Sequence, residues 1–156
     1  MPPKADRTHH KLAKSEDLPM TKSYGGRDRG NEGDRYPPIS EVEADAGARA
    51  IVKLFDLWEL DDAEACALLG GTSIKRWERW KQGRAGRIDR ECAIRLSLLL
   101  GVHVGSKAMF SNPALVRAWI RASRPDLGGE APLSVMMSRS VTGLERVRHL
   151  LFALGQ

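Results

Sequence analysis

Residues 68–83, Leu-Leu-Gly-Gly-Thr-Ser-Ile-Lys-Arg-Trp-Glu-Arg-Trp-Lys-Gln-Gly, constrain the fold more than any other stretch of the chain. Gly70 and Gly71 accept positive φ without a Cβ clash, so a chain arriving as a helix can reverse sharply there. Ser73 then stands as an N-cap, and a second helix over residues 74–82 closes at Gly83. At 100° per residue, Ile74, Trp77 and the stem of Lys81 share one side, with Trp80 beside them. Lys75, Arg79 and Gln82 fall on the opposite stripe, with Arg76 on its flank. A helix, a tight glycine turn and a cationic second helix make a helix-turn-helix that can enter a DNA groove. Arg and Gln offer forks to base edges, and Lys and Arg reach phosphates. Ser73, Lys75, Arg76, Arg79, Gln82, Arg84 and Arg87 are therefore the candidate DNA contacts. A charged helix face is often only a solvated one. The capped glycine turn and the further cations of the loop over residues 83–87 favour DNA.

Charge supports this by location more than by total. The 156-residue chain carries 25 Lys and Arg against 20 Asp and Glu, a formal net charge of +5. Between Ser73 and Arg95, eight cations face three acids, so this stretch accounts for the whole excess. A basic patch on a candidate recognition element points to nucleic acid more firmly than overall basicity does.

The remaining pattern is helical. Residues 1–38 are polar, rich in Gly and Pro and without periodicity, which predicts a flexible N-terminal arm. His9 and His10, adjacent and without further ligands, read as tail rather than as a metal site. Residues 43–58 predict a first helix with Ala46, Ala50, Ile51, Leu54, Phe55 and Trp58 inward. Asp61 or Asp62 caps a second helix, with Ala65, Leu68 and Leu69 inward. Asp89 caps an apolar helix over residues 90–100, with Ala93, Leu96, Leu99 and Leu100 inward. Gly101 ends it, a further turn occupies residues 106–110, and His103 is structural near the helix end. Ser111 or Asn112 then starts a second module: a helix over residues 114–123 with Leu115, Trp119 and Ala122 inward, a short helix from Ala131, and a last helix over residues 143–154. Its inward residues are Leu144, Val147, Leu151 and Leu154. The expected fold is all-α, a helix-turn-helix bundle over residues 39–110 followed by a small helical domain over residues 111–156.

Other chemistries have little support. Cys66 and Cys92 lack CxxC spacing and read as two buried thiols rather than a bridge. There is no nucleophile elbow, no P-loop and no ligand cluster, so neither an enzyme nor a metal or cofactor site is expected. The N-terminus has no apolar signal core and no apolar run approaches the ~20 residues of a membrane span. A cytoplasmic location follows by default.

The run Trp119-Ile120, Leu127-Gly128-Gly129, Ala131-Pro132-Leu133, Thr142-Gly143, Val147 and Leu151, with a Gly near the terminus, resembles the toxin-binding domain of the Xre/MbcA/ParS antitoxins. Trp58-Glu59-Leu60, Ala65, Leu68-Leu69-Gly70 and Arg79-Trp80-Lys81 resemble the Xre-like helix-turn-helix that precedes it. The resemblance covers residues 39–156 and leaves the long polar arm outside the family pattern. It implies the antitoxin of a type II toxin–antitoxin pair, whose cognate partner is a RES-domain toxin that degrades NAD or transfers ADP-ribose from it. It also implies autorepression through operator DNA, probed by Lys75, Arg76, Arg79 and Gln82. The last helix would face the toxin, with Arg146, Arg148, His149, Phe152, Gly155 and Gln156 as contacts and the chain end as a plug. A single recognition helix reads few base pairs, so a homodimer or toxin-bridged hetero-oligomer on a palindromic operator is expected. The alternative is a plain helix-turn-helix repressor whose C-terminal module serves dimerisation.

Overall fold

Ser40 opens the part of the chain that can be described. A computed structural model describes residues 40–156, and the expectations for the arm and for His9 and His10 fall outside them. Ser40 accepts from the backbone N–H of Glu43 at 3.3 Å, while its own N–H donates to the Glu43 carboxylate at 2.9 Å. This reciprocal box satisfies two otherwise orphaned donors, so α1 spans Glu41–Leu57 and begins two residues before the expected start. Its inward stripe is Ala44, Ala48, Ile51, Leu54 and Phe55. Ala46, expected inward, is exposed.

A second capping box, Asp61 with Glu64, starts α2 over Asp62–Leu68. Gly70 and Gly71 follow at φ +87° and +83°, the left-handed conformation the turn requires. Ser73 accepts from the N–H of Arg76 and caps α3, Ile74–Lys81. The indole N–H of Trp77 donates to Asp62 Oδ1 at 2.8 Å, and Lys81 Nζ reaches the same oxygen at 3.1 Å. Those bonds lower the Asp62 carboxyl below its ordinary range, the Trp77 bond foremost, and lock α3 against α2.

The largest departure from expectation comes next. Helix α4, capped by Asp89, runs unbroken from Arg90 to Met109. Gly101 does not end it, and His103 lies in its interior. Neither a proline nor a left-handed residue interrupts the ladder. Gly101 instead lets another helix approach: a Cβ there would stand 2.9 Å from Arg148 Nε, and one at Gly105 would stand 3.1 Å from Leu151 Cβ. By length and composition α4 could cross a membrane, its most apolar window averaging a hydropathy of 1.2. The expectation that no run has that length fails because it divided this helix. Leu96, Leu98, Leu99 and Val102 are spent inside the protein, packed among residues of α1 and the later helices.

Asn112 caps α5, Pro113–Arg121, by accepting from the N–H of Leu115. Val116, Trp119 and Ile120 face inward; Leu115 and Ala122, expected there, are exposed. A 3-10 turn at Pro125–Leu127 and α6, Pro132–Met136, lead to α7, Thr142–Leu154. Gly101 meets Arg148 and Gly105 meets Leu151, so α7 runs parallel to α4. Leu144, Val147 and Leu151 are buried, but Leu154 is 43% exposed. The seven α-helices and one 3-10 turn of the described residues include no strand. One continuous buried cluster extends from Ala48 to Leu151, with α4 as its central element.

Candidate nucleic-acid and partner interfaces

The polar side of α3 forms the first surface. Ser73, Ile74, Lys75, Glu78, Arg79, Gln82 and Arg84 line one open depression, so five of the seven candidate DNA contacts share it. Trp77 and Trp80 hold α3 to the core, with the Phe55 ring tilted at 45° against Trp77, 5.6 Å between ring centres. Ile74 does not anchor the helix; it is 52% exposed and lies within the depression. Arg84 donates to the Gln82 side-chain oxygen, which fixes the end of the helix relative to the basic loop.

The other cations divide by what they touch. The Arg76 guanidinium donates to the Arg87 carbonyl oxygen at 3.0 Å and lies 5.8 Å from the Trp80 ring centre. It ties the loop to α3 and stands apart from the depression, while the Arg87 side chain is exposed on that loop. Lys81 is engaged by Asp62 and Glu78, both at 3.1 Å, and its ammonium pKa rises accordingly. Arg95, counted in the basic stretch, is 0% exposed and contributes nothing to the surface. Lys75, Arg79 and Arg84 therefore provide the cationic character of the depression, with Glu78 as its one acid.

The second surface lies along α7. Arg146, Arg148, His149, Phe152, Gly155 and Gln156 are all exposed. The first four line a broad depression of about 710 Å3, together with Asp126 and Glu145. Arg148 folds over Phe152, its guanidinium carbon 5.5 Å from the ring centre. A half-exposed ring under a cation, rimmed by both signs of charge, has the composition of a protein-contact patch: aromatic and Arg within, polar at the edge. Gly155 and Gln156 follow the helix end and lie outside the depression.

Three ties that the sequence did not disclose join elements far apart in the chain. Arg121 forks onto Glu64 at 2.9 and 3.1 Å, joining α5 to α2 and lowering the Glu64 carboxyl. Arg117 donates to the Leu57 carbonyl oxygen at 3.2 Å, joining α5 to the end of α1. Arg95 on α4 donates to the carbonyl oxygens of Leu68, at the end of α2, and Arg139, before α7. An arginine inside the run over residues 92–100 was the available signal, because a charge there must find partners. Cys66 and Cys92 are both free; Cys92 is buried and Cys66 half-buried.

A capped helix-turn-helix with an outward cationic second helix, sharing a core with a second helical module, defines a DNA-binding protein that carries an additional protein-contact domain. Comparison with known families is specific on both halves. Residues 37–101 match the antitoxin Xre-like helix-turn-helix domain, and residues 107–155 match the antitoxin Xre/MbcA/ParS C-terminal toxin-binding domain. The two matches follow one another in the order the motifs implied and cover most of the chain. The chain belongs to the Xre/MbcA/ParS-type antitoxins. No curated protein matches the sequence. Helix α4 starts in the first matched region and ends in the second, so one unbroken helix is shared by the two matches.

Proposed function

We propose that this antitoxin neutralises a RES-domain toxin through α7 and represses its own operon through α3, without catalysis of its own. The observation that carries the reading is the division of exposed chemistry. Cations Lys75, Arg79 and Arg84 cluster on α3, whereas Arg148 and Phe152 with their mixed-charge rim cluster on α7. Autorepression uses Lys75, Arg79, Gln82 and Arg84 at the DNA, with Ser73 presenting the helix N-terminus to a phosphate. Arg87 reaches the backbone from the loop, and Arg76 supports the loop that carries it. Neutralisation uses Arg146, Arg148, His149 and Phe152 against the toxin, with Gly155 and Gln156 at its active-site mouth. The first domain extends to residue 110 and the second begins at residue 111, with the protein acting in the cytoplasm. Two copies, paired directly or through toxin, bind a palindromic operator with half-sites about one DNA turn apart.

Co-expression with the product of the adjacent gene tests this. Growth arrest by that product is expected to be relieved by the wild-type antitoxin, and the two are expected to co-purify. Phe152→Asp should abolish both effects without lowering thermal stability, since the ring is half exposed and a surface substitution usually costs within about 0.5 kcal/mol. Co-purification that survives Phe152→Asp removes α7 from the interface. Absence of any rescue by the wild type leaves the plain repressor reading.

A further inference from the structure

Ile74 is the one apolar residue lining the α3 depression; Ser73, Lys75, Glu78, Arg79, Gln82 and Arg84 are all polar. It is 52% exposed, although it opens a helix held down by two buried tryptophans. Val42 and Leu57, the other large apolar residues exposed among residues 40–101, lie on α1 and outside the depression. A single apolar side chain is ordinary on a surface that stays in water. A surface that closes on the edges of bases is a different setting, because it takes water from every polar group it covers.

Position brings Ile74 to those edges. Ser73 caps α3 and Ile74 is its first residue, and helical Cα–Cβ bonds tilt toward the N-terminus. At 3.6 residues per turn, Ile74 lies about 40° round the helix from Glu78, at the edge of the outward stripe. A recognition helix presents its N-terminal residues to the floor of the major groove. The floor offers an apolar side chain one good partner, the C5-methyl group of thymine. Against any other base edge the isoleucine leaves a donor or acceptor without water or partner, which costs more than the contact returns. We propose that Ile74 is a specificity residue that reads a thymine C5-methyl in each operator half-site. The inference rests on α3 as the DNA-reading helix and adds the base that its apolar end selects. A methyl contact displaces no counterion, so this residue contributes selectivity without salt dependence, unlike a lysine or arginine on a phosphate.

The test begins with a footprint of the full-length protein on the DNA upstream of its own gene. Each thymine of the protected duplex is then replaced in turn by deoxyuridine, which lacks only the C5-methyl, and affinity is read by anisotropy. One thymine in each half-site is expected to stand out, its replacement weakening wild-type binding by about fourfold, the loss of one buried methyl contact. Ile74→Ala should be indifferent to that replacement and keep the wild-type slope of log affinity against log salt. Ile74→Val keeps the branched Cβ and should retain the sensitivity, which guards against a loss of fold in the alanine variant. A flat deoxyuridine scan with the wild type, or undiminished sensitivity in Ile74→Ala, overturns the proposal and leaves α3 as the reading helix. Loss of all binding in both variants makes the residue structural and likewise overturns its role at the base. Absence of any protection by the wild type overturns the reading of α3 along with the proposal.

Discussion

Arg95 on α4 donates its Nη1 hydrogen to the carbonyl oxygen of Leu68, 27 residues earlier, at 3.3 Å. Leu68 ends the first helix of the helix-turn-helix, and its carbonyl is among the acceptors that α2 cannot satisfy internally. A second nitrogen of the same guanidinium serves the Arg139 carbonyl oxygen, just before α7, and Nε lies 3.4 Å from Glu91. Gly70 sits against the group so closely that a Cβ there would lie 2.7 Å from Nε. One buried cation thus braces both the turn of the helix-turn-helix and the base of α7.

Arg95→Met keeps much of the volume and removes the donors. Two carbonyls lose their partners, each worth about 1–3 kcal/mol when buried, so destabilisation of about 2–5 kcal/mol is expected. Urea unfolding of the variant and the wild type measures it. A loss below about 1 kcal/mol would show that water reaches these carbonyls in place of the guanidinium.

The two helix-interior glycines of α4 predict opposite outcomes for the same substitution. At Gly101 the nearest atom to a new Cβ is the flexible end of Arg148, which can swing away. Gly101→Ala should be neutral or stabilising by up to about 1 kcal/mol, the helix-propensity gain. At Gly105 the obstacle is Leu151 Cβ, fixed to the backbone of α7 at 3.1 Å. Gly105→Ala should therefore lose about 1 kcal/mol net, overpacking exceeding the propensity gain. Thermal melts of both variants give the comparison directly.

The helix-turn-helix was legible because its signals are local: two glycines, a serine cap, and a pair of tryptophans opposite a cationic stripe. The α4–α7 contact was not, since a glycine reads as a terminator until something is known to pack on it. Gly101 and Gly105 are explained only by residues 148 and 151, far along the chain. Inward faces drifted for the same reason. Leu115 and Leu154 are apolar and periodic, yet the core takes Val116 in place of Leu115 and leaves Leu154 out beyond the expected Leu151, because apolar periodicity leaves neighbouring stripes nearly equivalent until a partner surface chooses. Among the candidate DNA contacts, helical spacing put Lys75, Arg79 and Gln82 on one stripe, and these three line one depression. It could not foresee that Arg76 would be held by the Arg87 carbonyl, a bond set by the path of a loop.

Cys92 predicts an alkaline loss of stability. Burial pushes its thiol pKa from an ordinary 9.0 up to about 11. In the unfolded chain the thiol ionises first, while the folded state keeps its proton, so stability is complete below about pH 9 and declines until about pH 11. The slope for one such group is about 1.4 kcal/mol per pH unit, and screening by nearby water reduces the total to about 1–2 kcal/mol. Cys92→Ala should show a shallower fall in urea midpoint between pH 8.5 and pH 10.5 (conditions of roughly the window that linkage defines). Identical slopes would mean that other groups dominate the alkaline limb.

Arg79 and Arg76 lie three residues apart on one helix and predict separable defects. Arg79 is exposed in the α3 depression with no intramolecular ion pair within 4.0 Å among the described residues. Arg79→Ala should leave unfolding unchanged and weaken binding to the DNA upstream of its own gene by about tenfold or more. If the contact is to a phosphate, the slope of log affinity against log salt should also fall by about 1. Arg76→Ala removes the hydrogen bond to the Arg87 carbonyl oxygen and the contact with Trp80. It should destabilise the fold by about 1 kcal/mol and affect DNA mainly by releasing the loop that carries Arg84 and Arg87. Anisotropy titrations at two salt concentrations, paired with unfolding curves for each variant, separate the roles. Equal DNA defects with equal stability losses would sink the distinction, and undiminished binding by Arg79→Ala would remove α3 as the reading helix.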